Sequence, residues 1–399
     1  MQQKSIFILG GSMLQVPAII KAKELGFFVY VLDYDPKAIG IRYADVYLEI
    51  STIDKQAVYE AALEYNPDFI ITSTSDMPVR TVAWVNEKLG KKTDISYENS
   101  IAATDKITMR KRMKEHNVPV PLFFEIDSFD EFRSHINDMD EVFVLKPSDN
   151  AASRGVVFID KTNKPNYKEL YNYCRSFSRS GRVLIEEYMD GPEVSVESFS
   201  INGEPHVITI TDKIITDLPF FVELGHTEPS RLNEEQKKDI CNVTYKAIKA
   251  IGIVNGPSHT EIKVTKNGAK LVEIAARLGG DFITSKLVPL STGVDLIKCS
   301  FDSLLGNPID VVNKHIGGSA IRFIQGDDGT LMNVEGVDEA LSMDGVVDVE
   351  IYKRTGENVK KPENSGDRIG HIIAIGKDAK EASLIAEKAL KTIHVLIKS

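Results

Sequence analysis

Two glutamates on successive β-rich runs are the strongest candidates for chemistry in this chain. Glu261 and Glu273 flank Asn267-Gly268, a dipeptide typical of tight β-hairpins. A two-residue turn centred on that dipeptide would point the carboxylates to opposite faces, whereas a three-residue loop over 266–268 would set them directly opposite each other. Facing carboxylates need a cation between them, and Mg²⁺ binds one or two carboxylates together with phosphate oxygens. We therefore predict metal ligands at Glu261 and Glu273; solvated glutamates on an exposed hairpin are the alternative.

The residues that follow the hairpin have the properties of an anion site. Arg277 lies shortly after Glu273, where its planar guanidinium can hold a phosphate group. Gly279-Gly280 then allows the backbone to approach a ligand closely. We predict that Gly279, Gly280 and His226 contact a substrate. His226 lies in the segment 220–231, which reads as a loop, and a structural role is the alternative for a single histidine.

A second basic position, Lys146, follows an apolar strand predicted over 141–145. A lysine at the end of a buried strand needs a partner, because an unpaired buried ammonium is costly. The next segment, 148–155, is small and polar, and it includes Ser153, Arg154 and Gly155. These properties suit a lid over a polyphosphate. The pattern is not G-x-x-x-x-G-K-[ST], and an ordinary hairpin tip is the alternative.

The totals restrict the class of protein. At 399 residues the chain is long enough for two or three domains. A net charge of −10 argues against a general nucleic-acid or anionic-membrane surface, so a phosphate site must be a local arrangement of basic groups. Three widely separated cysteines in no metal spacing indicate a reduced, cytoplasmic compartment. Neither a signal peptide nor an apolar run of about 18 residues is present, so no membrane span is predicted.

The elements that must position these residues begin with an α/β pattern. Strands over 5–9, 28–32, 46–50 and 69–72 alternate with helices, one of them over 54–65. Gly10-Gly11-Ser12 forms a glycine turn at a helix N-terminus, but it departs from G-x-G-x-x-G, which disfavours a dinucleotide fold. The segment 72–76 follows its strand at the edge where open α/β sheets bind ligands, and a capping turn is the alternative.

The rest of the chain changes pattern twice. A helix over 234–251 precedes the hairpin. Beyond about residue 317, alternating strands lead to a last helix that opens with the capping-box pattern Asp378-Ala379-Lys380-Glu381. We predict a small C-terminal α+β domain with no chemistry of its own.

In combination, these motifs closely resemble the ATP-grasp superfamily of carboxylate–amine ligases. The resemblance extends to about residue 310, and its parts occur in the expected order. It implies an α/β and α+β multidomain fold. The implied domains are an N-terminal α/β (pre-ATP-grasp) domain over 1–100, a two-lobed ATP-grasp domain over 101–312 with a lid lobe at about 120–190, and a C-terminal α+β domain over 313–399.

The resemblance also implies roles for single residues. Glu261 and Glu273 match the metal-ligand pair for one or two Mg²⁺ ions, and Arg277 and Lys146 match catalytic residues. Glu186-x-x-Met189 resembles the adenine hinge, whose backbone amides bind the base, and Glu193 matches the ribose-hydroxyl acceptor. The residues implied for ATP binding are Lys106, Lys146, Ser153, Arg154, Gly155, Glu186, Met189 and Glu193.

One position departs from the superfamily pattern. Ala275 stands where much of the superfamily has an asparagine that helps to bind a second Mg²⁺, so the number of ions is open. The form Glu273-Ile274-Ala275-Ala276-Arg277 is similar to bacterial L-amino acid (dipeptide) ligases.

The implied activity is activation of a small carboxylate by ATP as an acyl phosphate, followed by transfer to an amine with release of ADP and phosphate. The near alternatives are amidation of a carboxylated sugar or specialised metabolite by an amino acid, and a purine-pathway or carboxylase relative. A non-catalytic ATP-binding regulator is the alternative from another class. It is disfavoured because a regulator need not retain the charge-neutralising groups, which are Lys106, Lys146, Glu261, Glu273 and Arg277. The expected partners are a small-molecule carboxylate and amine, with no nucleic acid and no membrane; homodimers are common among similar enzymes.

Overall fold

The structure is a computed structural model, and it describes residues 3–150, 154–216 and 222–398. Within these ranges no helix combines the length and the apolar character needed to cross a membrane.

The first part of the chain is a parallel sheet flanked by helices. Its elements are β1 (Ser5–Leu9), α1 (Val16–Glu24), β2 (Phe28–Asp33), β3 (Val46–Glu49), α2 (Lys55–Tyr65), β4 (Phe69–Ile71), α3 (Met77–Lys88) and α4 (Tyr97–Ala102). The strand order is β3-β2-β1-β4, with parallel pairing throughout. The predicted helix over 54–65 is confirmed: Asp54 caps its first turn, and Asn66 ends it in the left-handed conformation. Because the strands are parallel, their carboxyl ends lie together at one edge of the sheet.

The second part is an antiparallel sheet that carries Lys146. Its elements are α5 (Lys106–Glu115), β5 (Phe123–Ile126), α6 (Phe129–His135), β6 (Val142–Pro147), β7 (Val157–Asp160), α7 (Tyr167–Ser176) and β8 (Val183–Glu187). The strand order is β5-β8-β6-β7. One face of this small sheet packs on α6 and α7 around Phe132, Phe143 and Tyr171, which form a separate core. The other face is therefore available to a ligand.

A large antiparallel sheet follows. Its elements and those packed on it are β9 (Glu193–Ile201), β10 (Glu204–Ile215), β11 (Glu223–Glu228), α8 (Glu234–Ile251), β12 (Gly256–Thr265), β13 (Gly268–Ala275), α9 (Val288–Thr292), α10 (Leu296–Leu305), β14 (Gly318–Ile324), β15 (Gly329–Glu335), α11 (Val337–Leu341), β16 (Val346–Ile351), β17 (Asn358–Val359), β18 (Gly370–Gly376), α12 (Ala379–Leu390) and β19 (His394–Lys398). A π-helical turn spans Ile283–Leu287. Helix α8 begins at a capping box built by Asn233 and Gln236, in agreement with the predicted helix over 234–251.

The large sheet crosses the predicted domain boundary at 312/313. Over the described residues its strand order is β13-β12-β9-β10-β11-β14-β18-β16, and β14 pairs antiparallel with β11. Strands assigned to two predicted domains therefore share one sheet, and the division of the chain into domains stays a prediction. The N-terminal sheet is joined to this assembly through a common apolar core, in which the Phe27 and Phe301 rings lie 5.9 Å apart.

Candidate active site

The hairpin β12–β13 places Glu261 directly opposite Glu273, as predicted. The facing arrangement does not come from a three-residue loop, however. Thr265 pairs with Gly268, so the connection has two residues, and a bulge at Val272 then shifts the register by one position. The bulge restores the facing arrangement that a two-residue turn alone would have broken, because a one-residue shift moves a side chain to the other face.

Each of these carboxylates is paired with its own lysine. Lys106 Nζ, at the start of α5, lies 2.8 Å from Glu273 Oε2. Lys213 Nζ, from β10, lies 2.9 Å from Glu261 Oε1. Burial disfavours the charged form of Glu261, but Lys213 and His259 hold its pKa well below the usual range. Glu261 is therefore ionised at neutral pH, as a metal ligand must be.

The donor set suits Mg²⁺. Two opposed carboxylates provide hard oxygen ligands, and the lysines beside them suit an additional polyphosphate. Among the described residues, no group of three or more His, Cys, Asp or Glu side chains is arranged to hold a metal ion. A magnesium ion at Glu261 and Glu273 would therefore complete its shell with phosphate oxygens and water. Ala275 lines the same cavity and offers no side-chain oxygen.

Arg277 is fixed by the N-terminal part of the chain. Its Nε lies 2.6 Å from Asp76 Oδ1, and its Nη1 donates to the Leu278 carbonyl oxygen at 2.9 Å. Burial opposes the charge on Arg277, but Asp76 raises its pKa. Asp76 belongs to the segment 72–76 that follows β4, so this segment anchors the arginine that was predicted to be catalytic.

Lys146, at the end of its buried strand, pairs with the oppositely charged Glu186. Its Nζ lies 2.9 Å from Glu186 Oε2, and Glu186 Oε1 lies 2.6 Å from Arg110 Nε. Burial opposes ionisation of Glu186, but Arg110 and Lys146 lower its pKa to about 2. The Glu186 side chain thus lies in a buried ion-pair cluster. In the predicted adenine hinge, the residues that line the cavity are Glu187, Tyr188 and Met189.

Glu193 begins β9 and lines the cavity between two lysines. Its carboxylate lies 2.7 Å from Lys213 Nζ and 3.4 Å from Lys263 Nζ. Gly191 just before it has φ of +129°, and an added Cβ would lie 2.1 Å from the Val264 carbonyl oxygen. A side chain at position 191 would clash with the backbone of the hairpin, so only glycine fits there.

The predicted phosphate lid is described in part. Ser153 lies outside the described residues. Arg154 is exposed and lines the cavity. Gly155 has φ of +77°, and an added Cβ would lie 2.5 Å from the Cβ of Phe177. On the other arm of the lid, the Asn150 carbonyl oxygen accepts from Lys106 Nζ at 2.8 Å.

His226 lies in β11 and is only 1% exposed, so its placement in a loop is wrong. The strand forms because β10 and β14 pair with it on both sides, a long-range contact that local sequence does not reveal. His226 lines the cavity, and its Nε2 lies 3.2 Å from Asp281 Oδ2.

The C-terminal segment, which was expected to have no chemistry of its own, also reaches this region. Arg368 Nη1 and Nη2 donate to the two Asp281 carboxylate oxygens at 2.8 Å and 2.9 Å. Arg368 Nη2 also lies 3.1 Å from Glu223 Oε2. Burial opposes ionisation of Asp281, but Arg368 lowers its pKa. Asp281 and Glu223 both line the cavity, so a buried arginine from the C-terminal segment fixes two of its acidic groups.

The two predicted substrate glycines have different surroundings. Gly279 packs over Glu197, and an added Cβ would lie 2.7 Å from Glu197 Oε1. That buried carboxylate lies 2.5 Å from His259 Nδ1 and accepts from Thr284 Oγ1 at 3.2 Å. Gly280 lines the cavity. Gly279 therefore permits close packing beside the site, and Gly280 is the one exposed to a ligand.

A cavity of about 970 Å³ connects these side chains. Its walls come from the carboxyl edge of the N-terminal sheet, from the small sheet and from the large sheet. In the N-terminal wall, Asp33 accepts from Gly11 N at 2.7 Å and from Asp35 N at 3.0 Å. The Asp33 carboxylate is thus engaged by backbone N–H groups.

Two segments of this chain match models of known protein families. A family model described as the ATP-grasp domain matches residues 139–285, and one described as L-amino acid ligase C-terminal domain 2 matches residues 322–398. Residues 139–285 therefore form an ATP-grasp domain. The crystal structure of an L-amino acid ligase from Bacillus licheniformis has the same fold, with a TM-score of 0.85 at 20% identity over 100% of both chains.

Curated relatives of this chain include ligases. An alanine–anticapsin ligase of Bacillus subtilis is 28% identical over 285 residues, which is 66% of this chain and 59% of the relative. An L-arginine-specific L-amino acid ligase of Bacillus subtilis is 21% identical over 320 residues, which is 79% of this chain and 76% of the relative. The chain spans 60% and 59% of the lengths of the first two curated relatives that it matches.

Sequence reasoning missed several charged residues of the site, namely Arg110, Lys213, Glu223, Asp281 and Arg368. Arg110 alone had a usable signal, because it lies four residues after Lys106, a spacing that places two residues on the same face of a helix. The others are brought in by strand pairing and by the C-terminal segment, which leave no local pattern.

Proposed function

We propose that this ATP-grasp protein is an ATP-dependent carboxylate–amine ligase. It would activate a small carboxylate as an acyl phosphate and join it to an amine, forming an amide or peptide bond and releasing ADP and phosphate. The observation that carries the proposal is the facing pair Glu261 and Glu273, with a lysine on each, in one cavity with Arg277 and Lys146.

ATP would lie between the small sheet and the large sheet. Met189 and its neighbours would hold the adenine, and Glu193 would accept from the ribose hydroxyls. Lys106, Lys146 and Arg154 would neutralise the phosphates from three sides, and the backbone of the 148–155 lid, with Ser153 and Gly155, would close over them. Glu186 supports this site indirectly, because its carboxylate orients Lys146.

Glu261 and Glu273 would hold magnesium, which neutralises charge on the transferred phosphoryl group when it is bound. The substrate carboxylate oxygen attacks the γ-phosphorus, and the bond from that phosphorus to the β,γ-bridging oxygen breaks to leave ADP. Phosphoryl transfer of this kind depends mainly on positioning and charge neutralisation, which this arrangement of lysines provides.

Amide formation would follow in the same cavity. The amine nitrogen attacks the acyl carbon, phosphate leaves with its electron pair, and the nitrogen loses a proton. Arg277 points its guanidinium into the cavity from its anchor on Asp76 and would stabilise the oxyanion that develops. His226 and Gly280, on the wall nearest Asp281, would contact the substrates.

A second candidate is amidation of a specialised metabolite by an amino acid. It is favoured by the resemblance to the alanine–anticapsin ligase, which covers 66% of this chain. Both candidates use the same site and differ in the molecules that are joined.

The test is phosphate release with Mg·ATP against a panel of amino acids, amino-acid pairs and uronic acids, followed by mass analysis of the products. The expected result is release that requires one carboxylate and one amine, with a product mass equal to their sum minus water. ATP binding without turnover on the panel would favour an unusual carboxylate or a regulator. No ATP binding at all would contradict the proposal.

A further inference from the structure

Arg110 is a buried arginine that was not among the predicted site residues. It contacts both the small sheet and the large sheet, which carry the site. Helix α5 presents Lys106 and Arg110 on the same face, because residues four apart on a helix are neighbours. Lys106 reaches Glu273 on the large sheet and the Asn150 carbonyl at the base of the lid. Arg110 is completely buried between the small sheet and the large sheet.

The contacts of Arg110 join the two sheets. Its Nε lies 2.6 Å from Glu186 Oε1, and its Nη2 donates to Glu186 Oε2 at 3.3 Å, which makes a two-point pair with the small sheet. The same Nη2 donates to the Val272 carbonyl oxygen on β13 at 2.8 Å. A planar guanidinium can bind the carboxylate through two nitrogens and the carbonyl through one of them at the same time, whereas a lysine ammonium cannot reproduce this geometry.

Both contacts lead to residues of the proposed site. Glu186 holds Lys146 Nζ at 2.9 Å, so Arg110 acts on the position of Lys146 through one shared carboxylate. Val272 is the bulge residue that sets Glu273 opposite Glu261. A hydrogen bond to the Val272 carbonyl therefore stabilises the irregular register on which the facing carboxylates depend.

The charges show why the arginine is needed. Lys146 and Arg110 share the single carboxylate of Glu186, which is 1% exposed, so the cluster carries a net positive charge toward the cavity. Removing Arg110 would leave Glu186 with Lys146 alone. The lysine would then be held more tightly as half of a neutral pair, and it would be less available to a phosphate.

We propose that Arg110 is a positioning residue that aligns the two sheets around the nucleotide, setting Lys146 through Glu186 and the Glu273 strand through the Val272 carbonyl. The proposal rests on the proposed function, because Lys146 and Glu273 are its phosphate and metal groups. Arg110 itself lies behind the cavity wall and is not expected to touch the substrate.

The test compares Arg110→Met and Arg110→Lys with Lys114→Met, an exposed change on the same helix. Calorimetry measures the dissociation constant of Mg·ATP, which requires no knowledge of the other substrates. We expect both Arg110 variants to bind Mg·ATP at least ~10-fold more weakly and to lose about 10²-fold in kcat, as small misplacements of reacting groups do. Lys114→Met should match the wild type in both measurements.

A pH profile separates positioning from a loss of fold. In Arg110→Met, burial of Glu186 is opposed by Lys146 alone, so its pKa should rise from about 2 toward the working range. Protonation of Glu186 would release Lys146 from this neutral pair, so the variant should regain part of its ATP affinity as the pH falls from 7 to 5, and the wild type should not. Arg110→Lys, which retains a positive charge, should show no such pH dependence, and if Arg110→Met does not fold, the Mg·ATP affinity of Arg110→Lys tests the positioning role alone.

Unchanged ATP affinity and kcat in a folded Arg110 variant would overturn the proposal, as would a lower melting temperature with wild-type binding. A wild-type protein that does not bind Mg·ATP would instead contradict the proposed function. The two failures are therefore distinguishable.

Discussion

The substitution Glu273→Gln tests the central feature of the site while it preserves shape. The change removes one of two facing negative charges and the partner of Lys106 Nζ, which lies 2.8 Å away with the two side chains 14% and 23% exposed. Removal of one partner from a buried pair costs about 3–5 kcal/mol, and the partial exposure favours the lower end of that range. That cost concerns stability, whereas the loss of charge stabilisation at the metal site concerns the rate and is worth several kcal/mol. At about 1.36 kcal/mol per tenfold change in rate, we expect kcat to fall by ~10³-fold or more.

The assay is phosphate release at saturating substrates, together with a Mg²⁺ titration and a measurement of ATP binding. ATP should still bind, though weakly, because Met189 and Glu193 are unchanged and Lys106 Nζ still donates to the Asn150 carbonyl oxygen. Glu204→Gln is the matched control: it makes the same charge change on the large sheet at a side chain that is 71% exposed. Full turnover by Glu273→Gln with an unchanged Mg²⁺ requirement would remove Glu273 from the metal site and refute the reasoning.

Three further predictions concern residues that support the site. Arg277→Lys keeps the charge but loses the planar guanidinium that pairs with Asp76 beside the cavity, so kcat should fall by ~10²-fold or more with little change in ATP affinity. An equal loss of kcat and of ATP affinity would place Arg277 in nucleotide binding. Lys213→Met leaves Glu193, Glu261 and Glu223 without their shared cation, so urea unfolding should show about 3–5 kcal/mol of lost stability, and a loss below about 1 kcal/mol would contradict the network. Glu186 has a pKa of about 2 in the folded chain against an ordinary 4.5, so its charge contributes stability above pH 4.5 that disappears as the pH falls toward 2. Glu186→Gln should therefore lose less stability than the wild type between pH 5 and pH 3, by up to roughly 2 kcal/mol, and parallel urea curves would contradict this assignment.

The sequence was sufficient for features that depend on neighbours in the chain. Helix α8 was predicted over its full length because its apolar face and its capping residue Asn233 are local signals. Glu261 and Glu273 were found for the same reason, since both belong to one hairpin. Lys146 was flagged because a buried ammonium needs a partner wherever that partner lies.

The tertiary structure decided which distant groups meet. Glu186 pairs with Arg110 across 76 positions of the chain, and no local pattern fixes such a contact. The bulge at Val272 and the strand that contains His226 likewise depend on neighbours that pair from elsewhere in the sheet. Buried charges add a further condition, because each must be matched by whichever opposite charge the packing brings near, as Arg368 is for Asp281. The sequence by itself therefore determined the groups that could do chemistry, and only the packing of sheets decided how those groups are paired and held.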